Sequence, residues 1–98
     1  MAFIIETWDK PGYAPVRIQE RDVHLAYLEA NKAWLLACGA KLQDDGSNAG
    51  GGVYVVDLDT REDAERFIAM DPFALAGLFE RVTITRWRKA YVDGKGYL

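Results

Sequence analysis

The spacing of apolar residues along the chain predicts four strands and two helices. Strands are predicted at residues 2–8, 40–43, 53–58 and about 78–87, where β-forming residues run between turn residues. A first helix is predicted from about residue 16 to 38, and Gly39 follows it as a C-cap. Its apolar residues recur at three- and four-residue spacings: Val23, Ala26, Tyr27, Ala30, Trp34 and Ala37.

The second helix has a recognisable start. Thr60 followed by Asp63 resembles a capping box, and the helix that begins there ends near Asp71. Its predicted inner positions are Ala64, Phe67 and Ile68. A turn at residues 73–77 leads to the last strand, and residues 92–98 are expected to form a loose tail. The order βαββαβ predicts one ferredoxin-like α+β domain, with an antiparallel four-stranded sheet and two helices on one face.

Both faces of the predicted third strand are apolar. Val53 and Val55 point to one side of the sheet, while Tyr54 and Val56 point to the other. Two helices can cover only one face. We therefore expect a homodimer that forms through the open face of the sheet.

The composition narrows the class of protein. The 98 residues carry a net charge of -3, and the basic residues are scattered, which argues against a nucleic-acid partner. No apolar run has the length of a membrane span, and residues 1–8 are too short for a signal peptide. Cys38 is the only cysteine, so no intrachain disulfide can form, and a cytoplasmic location is expected.

His24, the only histidine, is the strongest candidate for chemistry because imidazoles exchange protons near neutral pH. The commoner alternative is a boundary histidine hydrogen-bonded to a neighbour. Asp71 precedes Pro72, which is typical of a helix N-cap. It could instead be a carboxylate that orients His24, but the spacing favours the cap.

Arg17 and Arg21 lie seven and three residues before His24 and share its helical face. They could bind an anionic substrate, or they could pair with nearby acids such as Glu20. Other candidates are weaker. The glycines at 50–52 precede a strand rather than a helix, Asp44 and Asp45 lack further metal ligands, and Cys38 is expected in the core.

Taken together, these pieces resemble the YCII-related family over almost the whole chain. The matching residues are the N-terminal strand, Arg17, Arg21, His24, Leu25, Leu28, Gly39, Phe67, Asp71, Pro72, Phe73, Ala76, Gly77 and the final strand from Val82 to Lys89. The chain departs from many relatives at Gly39-Ala40, where they have Gly-Pro, and at Gly51-Gly52, where they have Gly-Ser.

The resemblance implies a dimeric α+β barrel with a His–Asp pair in a pocket, which falls on His24 and Asp71. One branch of the family looks like a dehydrochlorinase of a chlorinated hydroxyquinol, in which such a pair manages proton transfer without a cofactor. Two functions remain open: a cofactor-independent and metal-free enzyme for a small aromatic or enolic molecule, and a non-catalytic module that binds a small molecule or a protein. Similar barrels include monooxygenases and isomerases, so the fold alone does not decide the reaction.

Overall fold

The computed structural model describes residues 2–98, and most of them belong to one antiparallel sheet and the helices that cover it. The elements are β1 (Ala2–Asp9), α1 (Ala14–Ala30), a 3-10 turn (Lys32–Trp34), β2 (Leu35–Leu42), β3 (Asn48–Val56), α2 (Arg61–Ala69), α3 (Pro72–Leu75) and β4 (Phe79–Trp87). The strand order is β2-β3-β1-β4. The predicted ferredoxin-like α+β fold, with its helices on one face, is confirmed.

The core lies between the sheet and α2. Alternate residues of the two central strands point into it, because side chains of a strand alternate between its faces. The buried cluster consists of Phe3, Ile5, Tyr54, Val56, Ala64, Phe67 and Ile68. The three predicted inner positions of the second helix are among them. Thr60 begins that helix as predicted, since its side chain accepts a hydrogen bond from the backbone N–H of Asp63.

The first helix ends at Ala30, so the predicted end near residue 38 is wrong. Asn31 closes the helix, since its backbone N–H and its side-chain amide both donate to the carbonyl of Tyr27. The following apolar run pairs with β3 as strand β2, which places Gly39 opposite Val53 rather than at a C-cap. A continuous apolar run suits a helix or a strand equally, and here the pairing with β3 decides.

The predicted apolar stripe of α1 is also largely wrong. Five of its six members are exposed: Val23, Ala26, Ala30, Trp34 and Ala37. The inward face instead carries His24, which is buried, and Tyr27 and Leu28, which pack against the core. A polar residue can take the inward position because a buried partner satisfies it, as described below.

Two further boundaries differ from the prediction. Strand β3 begins at Asn48, so the glycine-rich segment is part of the sheet and not a loop before it. The expected loose tail contains a two-stranded hairpin, β5 (Tyr91–Val92) and β6 (Lys95–Gly96). Cys38 is exposed on the edge strand β2 and not in the core.

Gly51 is the glycine that the sheet depends on most. Its φ is +153°, and a Cβ there would collide with the backbone carbonyl oxygen of Thr7 on β1. We expect Gly51→Ala to lower the free energy of unfolding by about 3 kcal/mol, since backbone atoms of β1 must move. Urea denaturation followed by tryptophan fluorescence measures the loss.

Gly46→Ala is the matched control. Gly46 has a φ of +90°, but a Cβ there meets nothing within 4 Å. The free energy of unfolding of this variant should fall by only about 1 kcal/mol, the cost of a left-handed backbone at an alanine. Equal losses in the two variants would contradict the collision at Gly51.

Candidate active site

A cavity of about 360 Å³ opens between α1 and the strands β2 and β3. Its wall includes charged, polar and aromatic side chains from α1, β2, β3 and α3: Arg17, Arg21, His24, Cys38, Tyr54 and Phe73. Its volume suits a small organic molecule, since a cavity of roughly 150 Å³ holds a benzene ring. All of the candidate site residues except Asp71 line this cavity.

His24, in the cavity wall, and Asp71, which does not line the cavity, form a buried pair. The Nδ1 atom of His24 lies 2.8 Å from the Oδ1 atom of Asp71. The side chain of Asp71 has no exposed surface, and that of His24 is 11% exposed. The carboxylate holds a hydrogen on Nδ1 and leaves Nε2 as the ring nitrogen that can exchange a proton with a bound molecule.

Asp71 accepts three hydrogen bonds. Its Oδ1 atom accepts one hydrogen bond from the His24 ring nitrogen and one from the backbone N–H of Phe73, each at 2.8 Å. Its Oδ2 atom receives the hydroxyl of Tyr54 at 2.9 Å. Asp71 is also the N-cap of α3, with Pro72 at the first helical position. Capping and pairing with His24, which the sequence presented as alternatives, are therefore both present.

Two aromatic rings fix the plane of the imidazole. Phe73 stacks on His24 with a centroid distance of 3.9 Å and an interplanar angle of 13°. Tyr54 meets it edge-on, with centroids 6.3 Å apart. Rotation of the ring would break the bond to Asp71 and both contacts, so His24 is held in one orientation.

Two titrating groups in the cavity wall, Tyr54 and Cys38, are kept protonated. Burial first, and then the negative charge of Asp71, raise the pKa of Tyr54 far above its usual range. Tyr54 therefore remains a hydrogen-bond donor to Asp71. Cys38 is exposed as a whole residue, but desolvation of its thiol, together with the charge of Asp71, raises its pKa to about 11.

The two arginines differ. Arg17 forms a two-pronged ion pair with Asp9, with Nε 2.7 Å from Oδ2 and Nη2 3.1 Å from Oδ1. Its partner is thus on β1 and is not Glu20. Arg21 is exposed at the cavity and makes no ion pair within residues 2–98. Arg21 is therefore the cation better placed to meet an anion.

Sequence reasoning did not single out Tyr54 or Phe73 for the site. Tyr54 had one usable signal: alternation along β3 points it to the helix side, and a buried tyrosine hydroxyl needs a partner. Phe73 had none beyond its position after Asp71-Pro72, because its stacking on His24 joins residues that are distant in sequence.

No group of three or more histidine, cysteine or acidic residues within residues 2–98 is arranged to hold a metal ion. No helix in this part of the chain is long and apolar enough to cross a membrane.

The fold and the site define an α+β protein with a buried His–Asp pair whose histidine lines a cavity, and comparison with known proteins identifies the family. A model of the YCII-related domain matches residues 1–88, so the chain belongs to the YCII-related family. Protein YciI of Escherichia coli O6:H1 is 26% identical over 98 residues, which cover 93% of this chain and 100% of that protein. Protein YciI of Shigella flexneri matches equally.

A solved structure agrees closely with this one. It is the 5-chloro-2-hydroxyhydroquinone dehydrochlorinase TftG of Burkholderia phenoliruptrix in complex with 2,5-dihydroxybenzoquinone, at a TM-score of 0.82 and 34% identity. The match covers 90% of this chain and 94% of that chain. A protein from Agrobacterium tumefaciens, 13% identical with a TM-score of 0.54 over 95% of this chain and 98% of its own, shares the fold.

We expect Tyr54→Phe to cost about 2 kcal/mol of unfolding free energy, because it removes a donor from a buried, ionised acceptor. Tyr27→Phe is the matched control, since the Tyr27 hydroxyl donates to the neutral carbonyl of Phe67 at 2.7 Å. That variant should lose about 1 kcal/mol. Urea denaturation of both proteins measures the difference, and a larger loss in Tyr27→Phe would contradict the assignment.

The thiol of Cys38 should ionise late. Its pKa of about 11 lies above the ordinary 9.0, so the protonated thiol favours the folded state, and this contribution is lost as the pH rises from 9 through 11. We expect the rate of alkylation by iodoacetamide to rise with a midpoint near pH 11 in the folded protein. In urea-unfolded protein the midpoint should fall to about 9. Identical alkylation midpoints in folded and unfolded protein would refute the rise in the pKa of Cys38 on folding.

Proposed function

We propose that this protein is a cofactor-independent enzyme that moves protons on a small aromatic or enolic molecule. His24 is its general acid and base, and Asp71 is the partner that orients it. The observation that carries this proposal is the buried 2.8 Å contact between Nδ1 of His24 and Oδ1 of Asp71, at the wall of a cavity large enough for such a molecule. A buried carboxylate behind a histidine supports proton transfer at the opposite ring nitrogen.

The first step follows from the two ring nitrogens. Nε2 of His24 accepts a proton from an acidic hydroxyl of the bound molecule, and the positive charge that forms on the ring is stabilised by Asp71. Asp71 does not need to take the proton itself. Phe73 and Tyr54 keep the ring in place, so little reorganisation accompanies the transfer.

The substrate becomes negatively charged when its hydroxyl ionises, and a nearby cation would stabilise that charge. Arg21 is the better candidate of the two predicted arginines, because the charge of Arg17 is already neutralised by Asp9. We therefore assign Arg21 to anion binding. Arg17 borders the same cavity, with its guanidinium directed to Asp9 and Phe73.

The reaction we propose is the elimination of HCl from a chlorinated hydroxyquinol. The support is the 34% identity over 90% of the chain to a dehydrochlorinase of such a compound. His24 takes the proton of one hydroxyl and gives it to the ring carbon that bears chlorine. His24 then takes the proton of the second hydroxyl as the C–Cl bond breaks and chloride leaves with the bonding electrons, and the imidazole ring releases that proton to solvent. The products are a hydroxyquinone and HCl, with no oxidant or reductant consumed.

We propose that the active form is a homodimer in the cytoplasm, joined through the open face of the sheet. Ile4, Val53 and Val55 lie on the face opposite the core and remain half-buried without a covering layer. Burying such residues against a second copy would stabilise a chain of this size. A single, unpaired Cys38 suits a reducing compartment.

The test uses 5-chloro-2-hydroxyhydroquinone as substrate and measures chloride release. We expect His24→Ala to lower kcat at least about a hundredfold, because general acid–base catalysis supplies that much. Its sedimentation should still show a dimer. Gln19→Ala, on the exposed side of the same helix, is the control and should keep the activity of the unaltered protein.

Two results would reject the proposal. One is unchanged chloride release in His24→Ala. The other is binding of 2,5-dihydroxybenzoquinone by the unaltered protein with no turnover of any chlorinated or hydroxylated aromatic tried, which would favour the non-catalytic binding module. Sedimentation as a monomer would reject the dimer alone.

A further inference from the structure

We propose that Phe73 is a positioning residue for His24, held in place from behind by the Arg17–Asp9 ion pair. The catalytic part of this inference rests on the proposed function, whereas the positioning itself does not. Phe73 is almost fully buried, and its ring lies nearly parallel to the imidazole at 3.9 Å. That distance is close van der Waals contact over the whole ring face.

Asp71 fixes the register of the two stacked rings. One oxygen, Oδ1, accepts both the Nδ1 hydrogen of His24 and the backbone N–H of Phe73, each at 2.8 Å. Pro72 restricts the backbone between them, because its ring fixes φ. The imidazole and the backbone of Phe73 are therefore tied to the same atom, and neither can shift along the stack alone.

Arg17 is a second contact of the Phe73 ring. Its guanidinium carbon lies 4.7 Å from the centroid of the Phe73 ring, within the range of a cation–π contact. Arg17 and His24 are two turns apart on α1, about 10.5 Å along the helix axis. The ring of Phe73 fills the gap between them, since it contacts both side chains.

Asp9 makes this support rigid. A lone arginine side chain samples many rotamers, but the two bonds from its Nε and Nη2 atoms to the Asp9 carboxylate fix the plane of the guanidinium. Asp9 is the last residue of β1, so the sheet anchors one end of the stack. The order is Asp9, Arg17, Phe73 and His24, with Asp71 bound to the last two.

The test reads the imidazole directly by NMR, which is possible because His24 is the only histidine of the chain. Its ring protons lie over the face of Phe73 and should resonate upfield of an unstacked histidine. Phe73→Met keeps most of the side-chain volume but has no ring face. We expect its His24 protons to shift downfield, and its ring nitrogens to show a mixture of tautomers. Phe3→Met removes a core ring that is not among the ring contacts of His24, which are to Phe73 and Tyr54, and should leave both signals unchanged.

Asp9→Asn provides a second variant that leaves Phe73 in place. It weakens the hold on Arg17, and we expect the His24 protons to move part of the way toward their positions in Phe73→Met. If Phe73→Met fails to fold, this variant alone tests the proposal. His24 signals that match those of the unaltered protein in every folded variant overturn it.

Activity supplies the catalytic part of the test. With 5-chloro-2-hydroxyhydroquinone as substrate, Phe73→Met should lower kcat at least about tenfold with a smaller change in KM, because a small misplacement of the base slows the proton transfer. An unchanged kcat beside altered NMR signals would overturn the catalytic role of this positioning. If the unaltered protein itself has no activity, the proposed function fails while the NMR result still decides whether Phe73 positions His24.

Discussion

The buried carboxylate of Asp71 is the group on which the rest of the site depends. An ionised carboxylate without solvent costs several kcal/mol unless hydrogen bonds replace the water it has lost. Three donors do so here: a ring nitrogen from α1, a hydroxyl from β3 and a backbone N–H from α3. Each hydrogen bond to a charged acceptor contributes about 1.5–3 kcal/mol, enough together to offset that cost. Three elements that are distant in sequence are thereby joined at one side chain.

The same carboxylate explains why the inward face of α1 is not simply apolar. His24 takes the central inward position because Asp71 satisfies one ring nitrogen and Phe73 covers the ring. The helix packs against the core through Tyr27 and Leu28, and its face from Arg17 to Leu28 lines the cavity. The helix thus buries fewer apolar side chains than a fully apolar inward face would, and it contributes a polar wall to the cavity instead.

The sequence was sufficient to predict the features that depend on residues close together along the chain. The cap at Thr60, the inner positions of α2 and the cap at Asp71 all depend on residues within four positions of one another, and the structure contains each of them. The end of α1 was predicted wrongly because the continuous apolar run before Gly39 fits the helical spacing of the residues before it as well as it fits a strand. Its pairing with β3, on the far side of a loop, determines the conformation.

The site likewise combines a feature that nearby residues determine with a contact between residues that are distant in sequence. The resemblance to the YCII-related family named His24 and Asp71, and spacing alone favoured the cap at Asp71 over a contact with His24. That choice was a false one, because a carboxylate oxygen has two lone pairs and can serve a backbone N–H and a side chain together. Oδ1 of Asp71 does both, with equal distances of 2.8 Å. Capping fixes where the carboxylate lies, and a fixed carboxylate can orient an imidazole. The role of Asp71 as the cap of α3 is therefore the physical basis of its contact with His24.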